Sequence, residues 1–317
     1  MIIVTGGAGF IGSNLVNYLS TNTDQKIVSV DYLNGANKNY FISANISMVD
    51  PTHLESFLRK FKKEVKLIVH LGAISSTTCN DPNLIIKNNI RLSIRLKEWC
   101  DKNLKRFIYA SSAATYGDGN NGFLDSSRFE YLSKLMPLNL YGWSKQIVDL
   151  NFFSNKNNKK QLVGLKFFNV YGPNEFHKDE MKSIVLKIYE KVQSKKSIKL
   201  FKSHNKNYKN GEQLRDFIYV KDVIKVINWF VNNPKKSGLF NVGSGLPRSF
   251  KDVTNAVFRN FNYPKKITYI DTPTNIRNQY QYYTKAEISK LRKVGFKDKF
   301  FSLEDGINDY INNYLKL

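Results

Sequence analysis

The sequence predicts an α/β fold in which a doubly wound parallel sheet is joined to a smaller, interlaced α/β domain. Short apolar runs alternate strictly with amphipathic stretches through the first half of the 317 residues. A glycine-rich turn follows the first apolar run at once. After about Tyr171 the alternation loosens, which indicates that the chain leaves the large sheet there.

Five short apolar runs are predicted to be buried parallel strands. Between them lie stretches whose apolar residues recur about every 3.6 positions, which is typical of amphipathic helices. The strands are Ile2–Thr5, Ile27–Asp31, Lys66–Leu71, Arg106–Ser111 and Leu162–Phe168. The helical faces are Ile11, Leu15 and Leu19; Leu54, Phe57, Leu58 and Phe61; and Leu92, Leu96 and Trp99.

In the second half, two helices and two late strands are expected. Met181–Val192 and Phe250–Phe261 have helical spacing. Phe217–Val220 and Leu239–Val242 are apolar runs that we expect to return to the main sheet, so the smaller domain is interlaced with the larger one. The polar stretch Ser203–Gly211 is predicted to be a surface loop.

Composition limits the class of protein. The chain is 42% hydrophobic, which supports a packed core, and its longest apolar stretches, such as Lys66–Ile74, are strand-sized. No basic leader or cleavage site precedes the first strand. Cys79 and Cys100 form no disulfide framework, and the four histidines are scattered. The expectation is a cytoplasmic protein with no metal and no membrane partner.

The charge is strongly positive, with 49 Lys and Arg against 26 Asp and Glu. Nucleic-acid binding is one explanation of this excess. The lysines, however, are interleaved with asparagines along the whole chain, as in Lys202–Asn210, which favours a solvated surface. No nucleic-acid partner is therefore expected, although the positive field would attract an anionic substrate.

The turn Gly6-Gly7-Ala8-Gly9-Phe10-Ile11-Gly12 predicts a dinucleotide site of the Rossmann type. Gly6 permits the tight turn, Gly9 lets the backbone approach a pyrophosphate, and Gly12 lets helix and strand pack closely. The helix start supplies N–H groups and partial positive charge for phosphates. A glycine turn without a ligand is the alternative, but an acid closes the next strand, as the fingerprint requires.

That acid is Asp31, whose usual partner is the adenosine ribose, and this favours NAD. Lys38 follows in the next loop and could neutralise the 2′-phosphate of NADP, so these residues leave the cofactor open between the two. His70 is followed by Leu71-Gly72-Ala73 at the tip of the fourth strand. The small residues there would let the nicotinamide half lie against the strand tip. His70 itself is interpreted as a core histidine.

Tyr141 and Lys145 stand four residues apart and so share one helical face. An ammonium group beside a phenol would lower its pKa, which suits proton exchange with a substrate alcohol. Lys145 could also bind the nicotinamide ribose. Ser112, at the tip of the fifth strand, is the candidate hydroxyl that orients the reacting oxygen, and a simple turn residue is its alternative.

Together these elements resemble the extended short-chain dehydrogenase/reductases of the NAD-dependent epimerase/dehydratase family. Arg215–Val223 and Asn241–Gly245 fit the same pattern. Within that family the chain is most similar to the epimerases that act on an ADP-linked heptose. The stretches that carry this resemblance are Ser75–Thr78, Ala110–Gly117, Phe168–Pro173, His177-Lys178 with Met181, and Gln279-Tyr280-Gln281.

The resemblance implies roles for individual residues. Tyr141 and Lys178 would be the two acid/base groups, with Lys145 and Ser112 in support. The cofactor would contact Gly6, Gly9, Phe10, Ile11, Gly12, Asp31, Tyr32, Lys38, Leu71, Gly72, Ala73, Ile74, Ser75, Asn88, Lys145, Val170 and Lys178. The substrate would contact Ser112, Asn169, Glu180, Lys187, Phe201, Arg215 and Tyr280.

The implied architecture is a dinucleotide-binding domain at 1–170, with returning segments near 216–243, and a substrate domain formed mainly by 171–215 and 244–317. The implied reaction inverts C6″ of ADP-D-glycero-D-manno-heptose through a 6″-ketone, with NADP (or NAD) bound, for lipopolysaccharide core synthesis. A homo-oligomer, such as a pentamer, is also implied.

Two departures from the family concern the substrate. Asp179 and Glu180 replace a glycine and a small hydroxyl residue, and Lys187 replaces a histidine. Two alternatives to this assignment stay open: a nucleotide-sugar 4-epimerase, or a non-catalytic dinucleotide-binding scaffold with a basic partner surface. A 4,6-dehydratase is disfavoured because Ala113 and Ala114 stand where that chemistry needs a pair of acids.

Overall fold

The protein is described by a computed structural model that covers residues 1–32, 45–154, 159–262, 264, 266–277 and 280–316. Seven parallel strands form its main sheet. They are β1 (Ile2–Thr5), β2 (Ile27–Val30), β3 (Ile46–Val49), β4 (Leu67–His70), β5 (Arg106–Ser112), β6 (Leu162–Phe167) and β10 (Gly238–Val242).

The strand order across this sheet is β10-β6-β5-β4-β1-β2-β3. The direction of winding therefore reverses between β1 and β4. In open α/β sheets ligands bind at such a reversal, beyond the carboxyl ends of the strands. This topology confirms the predicted doubly wound fold, and it places the glycine turn at the reversal point.

Helices cover both faces of the main sheet. On one face α1 (Phe10–Asn22) packs with α8 (Val220–Asn232) in a core that includes Leu15 and Phe230. The other face is covered by α2 (Leu54–Lys60), α4 (Leu92–Lys102) and α6 (Leu140–Ser154). Two single-turn helices, α3 (Pro82–Ile85) and α5 (Phe129–Leu132), lie in the connections. Among the described residues, no helix has the length and apolarity that a bilayer crossing requires.

A second hydrophobic core lies under two small sheets. One sheet has the order β11 (Pro247–Ser249), β9 (Leu214–Tyr219), β7 (Asn169–Tyr171), and the other pairs β12 (Ile267–Ile270) with β8 (Ile198–Phe201). The helices of this half are α7 (Ile184–Gln193), α9 (Phe250–Phe258), α10 (Thr274–Arg277), α11 (Ser289–Lys293) and α12 (Leu303–Tyr310).

The two late strands have different fates. Leu239–Val242 joins the main sheet beside β6, as predicted. The prediction that Phe217–Val220 returns to that sheet is wrong, because β9 pairs in parallel with β7, with Phe217 opposite Asn169. Both runs are apolar and short, and an apolar pattern specifies burial without specifying the partner strand.

Other boundaries shift for local reasons. The helix expected from Met181 starts at Ile184, because the side chain of Ser183 caps it by accepting the N–H of Leu186. The strand β3 was not predicted from the sequence. It lies at the edge of the sheet, where its residues are only partly buried, so no continuous apolar run marks it. The loop predicted at Ser203–Gly211 connects β8 to β9, as expected.

Candidate active site

The glycine turn after β1 has no room for a side chain at Gly6 or Gly12. Gly6 has a φ of +67°, and a methyl group added to it would lie 2.6 Å from the Cα of Gly72. A methyl group on Gly12 would lie 1.9 Å from the carbonyl oxygen of Gly6. Gly9 is the N-cap of α1, and no side chain caps the first N–H groups of this helix. This cradle fits a dinucleotide pyrophosphate.

Asp31 stands at the end of β2, beside the glycine turn. One of its carboxylate oxygens accepts the N–H of Ala8 at 2.9 Å, and the other accepts the N–H of Tyr32 at 2.9 Å. The carboxylate is therefore held at the rim of the cradle, where an adenosine ribose would lie. Tyr32 is 58% exposed next to it. Lys38, the residue invoked for a 2′-phosphate, lies outside the described residues.

The opposite wall of the cradle is the segment Leu71–Ser75, which follows β4. Asn89 holds this wall: its side chain accepts the N–H of Ile74 at 2.8 Å and donates to the carbonyl of Ile74 at 3.0 Å. The same amide donates to the hydroxyl of Ser144 at 3.0 Å, on α6. Asn89 thus links the cofactor wall to α6.

The neighbouring Asn88 is the residue predicted to contact the cofactor, and that contact stays a prediction, whereas Asn89 was not predicted. The side chain of Asn88 donates to the carbonyl of Leu84 within its own helix. Asn89 is fully buried in a π-helical turn, Ile86–Arg91, a geometry that is frequent at functional sites. The available signal was periodicity, because Asn89 lies on the same buried stripe as Ile85 and Leu96.

His70 is confirmed as a core histidine. It is buried at the end of β4, where its ring nitrogens hydrogen-bond the hydroxyls of Thr5 at 2.6 Å and Ser93 at 2.9 Å. Burial lowers the pKa of His70 to about 3, and the positive charge of Lys145 acts in the same direction. The neutral ring therefore supports the floor of the site.

Ser112, Tyr141 and Lys145 converge where β5 ends and α6 begins. The Ser112 side chain shares a hydrogen bond with Tyr141 and also accepts the N–H of Ala114 at 3.1 Å. Lys145 is 3% exposed, and its ammonium donates to the carbonyl of Ala110 at 2.8 Å. Its Nζ lies 6.0 Å from the centre of the Tyr141 ring. The structure thus brings the three predicted residues together.

The electrostatics differ from the sequence-based expectation. Burial raises the pKa of Tyr141, and the hydrogen bond with Ser112 only partly opposes this effect. The prediction that Lys145 lowers the tyrosine pKa is wrong here, because the ammonium turns toward the backbone of β5 instead. Burial also lowers the pKa of Lys145 to about 8, against the raising effect of Asp149.

Lys178 reaches the site from the other side, on a 3₁₀ turn at 176–181. Its Nζ lies 5.3 Å from the centre of the Phe10 ring, at the start of α1. Burial lowers the pKa of Lys178, while the carboxylate of Glu175 acts in the opposite direction. Asn169 and Val170 lie on β7, the strand that precedes this turn. An amine with a lowered pKa at this position is suited to proton transfer.

Asp179 has a backbone conformation that glycine adopts readily and aspartate does not. Its φ is 44° and its ψ is −118°, directly after Lys178. Positive φ at a non-glycine residue costs about 1 kcal/mol or more. The departure from the family at this position is therefore accommodated as local strain beside a candidate acid/base group.

Arg215 is the centre of the predicted substrate cluster. It is only 8% exposed, and its guanidinium lies 5.3 Å from the ring centre of Tyr280 and 5.7 Å from that of Phe250. Phe201 packs edge-on against Tyr280 at 5.9 Å. The guanidinium of Arg215 donates to the carbonyls of Leu214 and Gln281. In the described part of the chain no carboxylate pairs with Arg215. A buried guanidinium without a carboxylate fits an anionic ligand.

Glu180 and Lys187 form an ion pair of 3.7 Å at the surface. The Glu180 side chain is 99% exposed and that of Lys187 is 40% exposed. Such a pair is worth little in stability. Contact of either residue with a substrate stays a prediction.

The fold and the site together define a class: a Rossmann-fold protein in which a glycine cradle of the dinucleotide-binding type accompanies a serine, a tyrosine and a lysine at the carboxyl end of the sheet. The family model described as "NAD dependent epimerase/dehydratase family" matches residues 2–243. The chain belongs to this family.

Individual relatives narrow the comparison. The chain is 42% identical to a Fusobacterium nucleatum protein named ADP-L-glycero-D-manno-heptose-6-epimerase, over 99% of this chain and 98% of the relative. A Nitratidesulfovibrio vulgaris protein of the same name is 43% identical, with the same coverage. The crystal structure of the Helicobacter pylori enzyme of that name superposes with a TM-score of 0.82 at 30% identity, covering 100% and 96% of the two chains.

Proposed function

We propose that this chain is an isomerase that inverts C6″ of ADP-D-glycero-D-manno-heptose and yields the L-glycero isomer. The observation that carries the proposal is the convergence of Ser112, Tyr141 and Lys145 beside the glycine cradle, in a chain similar from end to end to epimerases of that name. The dinucleotide would lie along the cradle, between Asp31 and the wall at Leu71–Ser75.

The cofactor that we propose is NADP. The residues that would hold it are those of the glycine turn with Asp31, the 71–75 wall, Lys145 and Val170, and Lys38 offers a positive charge for the 2′-phosphate. When bound, the nicotinamide supplies a reversible hydride acceptor. Heat-denaturing the purified protein and identifying the released dinucleotide distinguishes NADP from NAD.

The proton chemistry falls to Tyr141 and Lys178. Because burial lowers the pKa of Lys178, its amine is the better base for the C6″ hydroxyl of the D-glycero substrate. The raised pKa of Tyr141 keeps its phenol protonated, which suits donation to the C6″ oxygen when the alcohol is restored. Ser112 would orient that oxygen, and the 6″-ketone is the intermediate between the two transfers.

Inversion requires only a small motion of the sugar. C6″ is exocyclic, so rotation about the C5″–C6″ bond presents the opposite face of the ketone to the same site. The diphosphate can meanwhile stay on Arg215, whose planar fork binds two oxygens at once. Phe201 and Tyr280 would pack beside it.

A nucleotide-sugar 4-epimerase is the second candidate. A UDP-N-acetylglucosamine 4-epimerase of Methanobrevibacter ruminantium superposes with a TM-score of 0.84 at 25% identity, over 99% and 98% of the chains. Such a reaction would use the same serine, tyrosine and lysine, but the whole sugar ring would have to turn over. A 4,6-dehydratase is disfavoured, because the turn after Ser112 presents Ala113 and Ala114.

Three further expectations stay proposals. Residues 1–170 would hold the dinucleotide, while 171–215 and 244–317 would hold most of the sugar nucleotide. The protein would be a cytoplasmic homo-oligomer, such as a pentamer, which light scattering on the eluting peak of a sizing column measures directly. No nucleic-acid or membrane partner is proposed.

The test is a substrate panel. ADP-D-glycero-D-manno-heptose, UDP-glucose and UDP-N-acetylglucosamine are each incubated with the purified protein, and the sugars are followed by proton NMR. Conversion of the heptose alone is expected, with a loss of about 10³-fold or more in Tyr141→Phe and in Lys178→Met. Tyr314→Phe and Lys63→Met, both exposed and outside the residues assigned to the site, are the controls. Turnover of a UDP sugar with an untouched heptose would contradict the proposal.

A further inference from the structure

A buried ion pair lies directly behind the catalytic residues. Asp149 and Lys166 are fully buried, and the Lys166 Nζ lies 2.7 Å from a carboxylate oxygen of Asp149. Removing two charges from water costs several kcal/mol per ion, and a pair of hydrophobic residues often replaces such a pair without loss. Since stability alone gives weak grounds for keeping this pair, its position in the site is informative.

Asp149 belongs to the catalytic face of α6. It follows Tyr141 by eight residues and Lys145 by four, so the three side chains lie on one face of the helix, a turn apart. The Asp149 carboxylate also accepts the hydroxyls of Tyr109 at 2.6 Å and Ser111 at 2.7 Å, both on β5. It therefore ties α6 to the strand whose tip carries Ser112.

Lys166 completes the connection from β6. Besides Asp149, its ammonium donates to the hydroxyl of Thr115 at 2.6 Å and lies 4.8 Å from the ring centre of Tyr116. The Thr115 hydroxyl in turn donates to the carbonyl of Ser112 at 2.9 Å. One continuous set of contacts thus runs from α6 through β6 to the backbone of the catalytic serine.

We propose that the Asp149–Lys166 pair is the positioning element of the catalytic face: it fixes α6 against the tip of β5 and holds a negative charge one helical turn from Lys145. Lys166 acts by pairing with the Asp149 carboxylate, whose other donors are the hydroxyls of Tyr109 and Ser111. Neither residue touches the substrate. The inference deepens the proposed function, since it concerns how the same site is held.

The electrostatic consequence has a definite sign. Burial lowers the pKa of Lys145, and the charge of Asp149 opposes that effect. Removing the charge by Asp149→Asn lowers the Lys145 pKa further, so the neutral fraction of Lys145 at pH 7 rises about tenfold. Lys166→Met removes the cation that fixes the carboxylate, so the charge is no longer held one turn from Lys145 and the Lys145 pKa should fall as well. Lys166→Arg retains the cation and restores the wild-type value.

The direct measurement is a pH titration of the protein labelled with ¹³C at lysine Cε. The Lys145 signal is assigned by its absence in Lys145→Arg. This readout needs no turnover, so it stands even if the heptose is not the substrate. Its expected result is a lower Lys145 pKa in Asp149→Asn and Lys166→Met, and an unchanged one in Lys166→Arg. The epimerisation rate, measured separately, should show its high-pH limb displaced to lower pH in the first two variants.

Unfolding of a single variant would not leave the question open. The double variant Asp149→Asn/Lys166→Met removes both buried charges, leaves no unpaired ion and keeps the side-chain volumes similar. It should fold and still show the lowered Lys145 pKa. If Asp149→Asn or the double variant folds with the Lys145 pKa of the wild type, the pair has only a structural role and the proposal is overturned.

Discussion

The dinucleotide cradle and the substrate cluster are built in opposite ways. The cradle comes from one local stretch, residues 6–12, in which backbone groups line the space and Gly6 and Gly12 have no room for a side chain. The predicted substrate cluster gathers the side chains of Phe201, Arg215 and Tyr280 from distant parts of the chain. The first arrangement depends on spacing within a few residues, whereas the second depends on how distant segments pack.

The largest effect on the cradle is expected from a substitution at Gly12. In Gly12→Ala the new methyl group would meet the carbonyl oxygen of Gly6 at 1.9 Å, so α1 must move away from β1. We expect the free energy of unfolding to fall by about 3 kcal/mol. We also expect the variant to purify without its dinucleotide.

The control for this substitution is Gly122→Ala, since a methyl group there meets nothing within 4 Å. Its positive φ of 75° predicts a cost of about 1 kcal/mol with full dinucleotide content. Urea unfolding and absorbance of the released dinucleotide give both values. Normal dinucleotide content in Gly12→Ala would show that the glycine turn does not bind the dinucleotide in the way we propose.

The substrate cluster is tested at Arg215. Arg215→Lys keeps the charge but loses the planar fork, so ADP should bind to the holoprotein about 30-fold to 100-fold more weakly. AMP, which lacks the diphosphate, should lose much less affinity. Arg248→Lys is the matched control, because that guanidinium pairs with Glu304. Affinities are measured by calorimetric titration. Equal losses of affinity for ADP and AMP would show that Arg215 does not bind the diphosphate.

The lowered pKa of the buried His70 predicts that the stability of the protein depends on pH. The folded-state pKa of His70, about 3, lies below its value of about 6.5 in the unfolded chain, so unfolding takes up a proton at intermediate pH. The stability that this pKa difference contributes is fully present above pH 6.5 and is lost as the pH falls toward 3.

The loss should be about 2 kcal/mol between pH 7 and pH 5. Urea unfolding at the two pH values, compared with His70→Gln, measures it. The variant should show a loss that is smaller by about this amount. An identical pH dependence in both proteins would mean that His70 does not carry the effect.

The smallest expected effect is at the turn that carries Lys178. Asp179→Gly relieves the strain of a φ of 44° and should raise the free energy of unfolding by about 1 kcal/mol, or about 2 °C in Tm. Asn174 also has positive φ, at 73°, but in a region that asparagine tolerates. Asn174→Gly should therefore bring no gain, and equal gains in the two variants would contradict the strain at Asp179.

What could be predicted from the sequence follows the same division. The cradle, the parallel strands and the Tyr141–Lys145 pair were predictable, because each depends on spacing within a few residues. The partner strand of β9 was not, since pairing with β7 joins residues far apart. The direction of the Lys145 ammonium and the burial of Asp149 with Lys166 depend on three elements meeting, which no local pattern records.

In the proposed reaction one site oxidises and then reduces C6″ with a single retained hydride. The decisive experiment incubates the holoprotein with ADP-D-glycero-D-manno-heptose in D2O and follows C6″ by proton NMR. We expect the L-glycero isomer with protium still at C6″, because the hydride never exchanges with solvent, and loss of the reaction in Tyr141→Phe. Deuterium at C6″ of the product would show removal of a carbon-bound proton to solvent and would rule out the hydride mechanism.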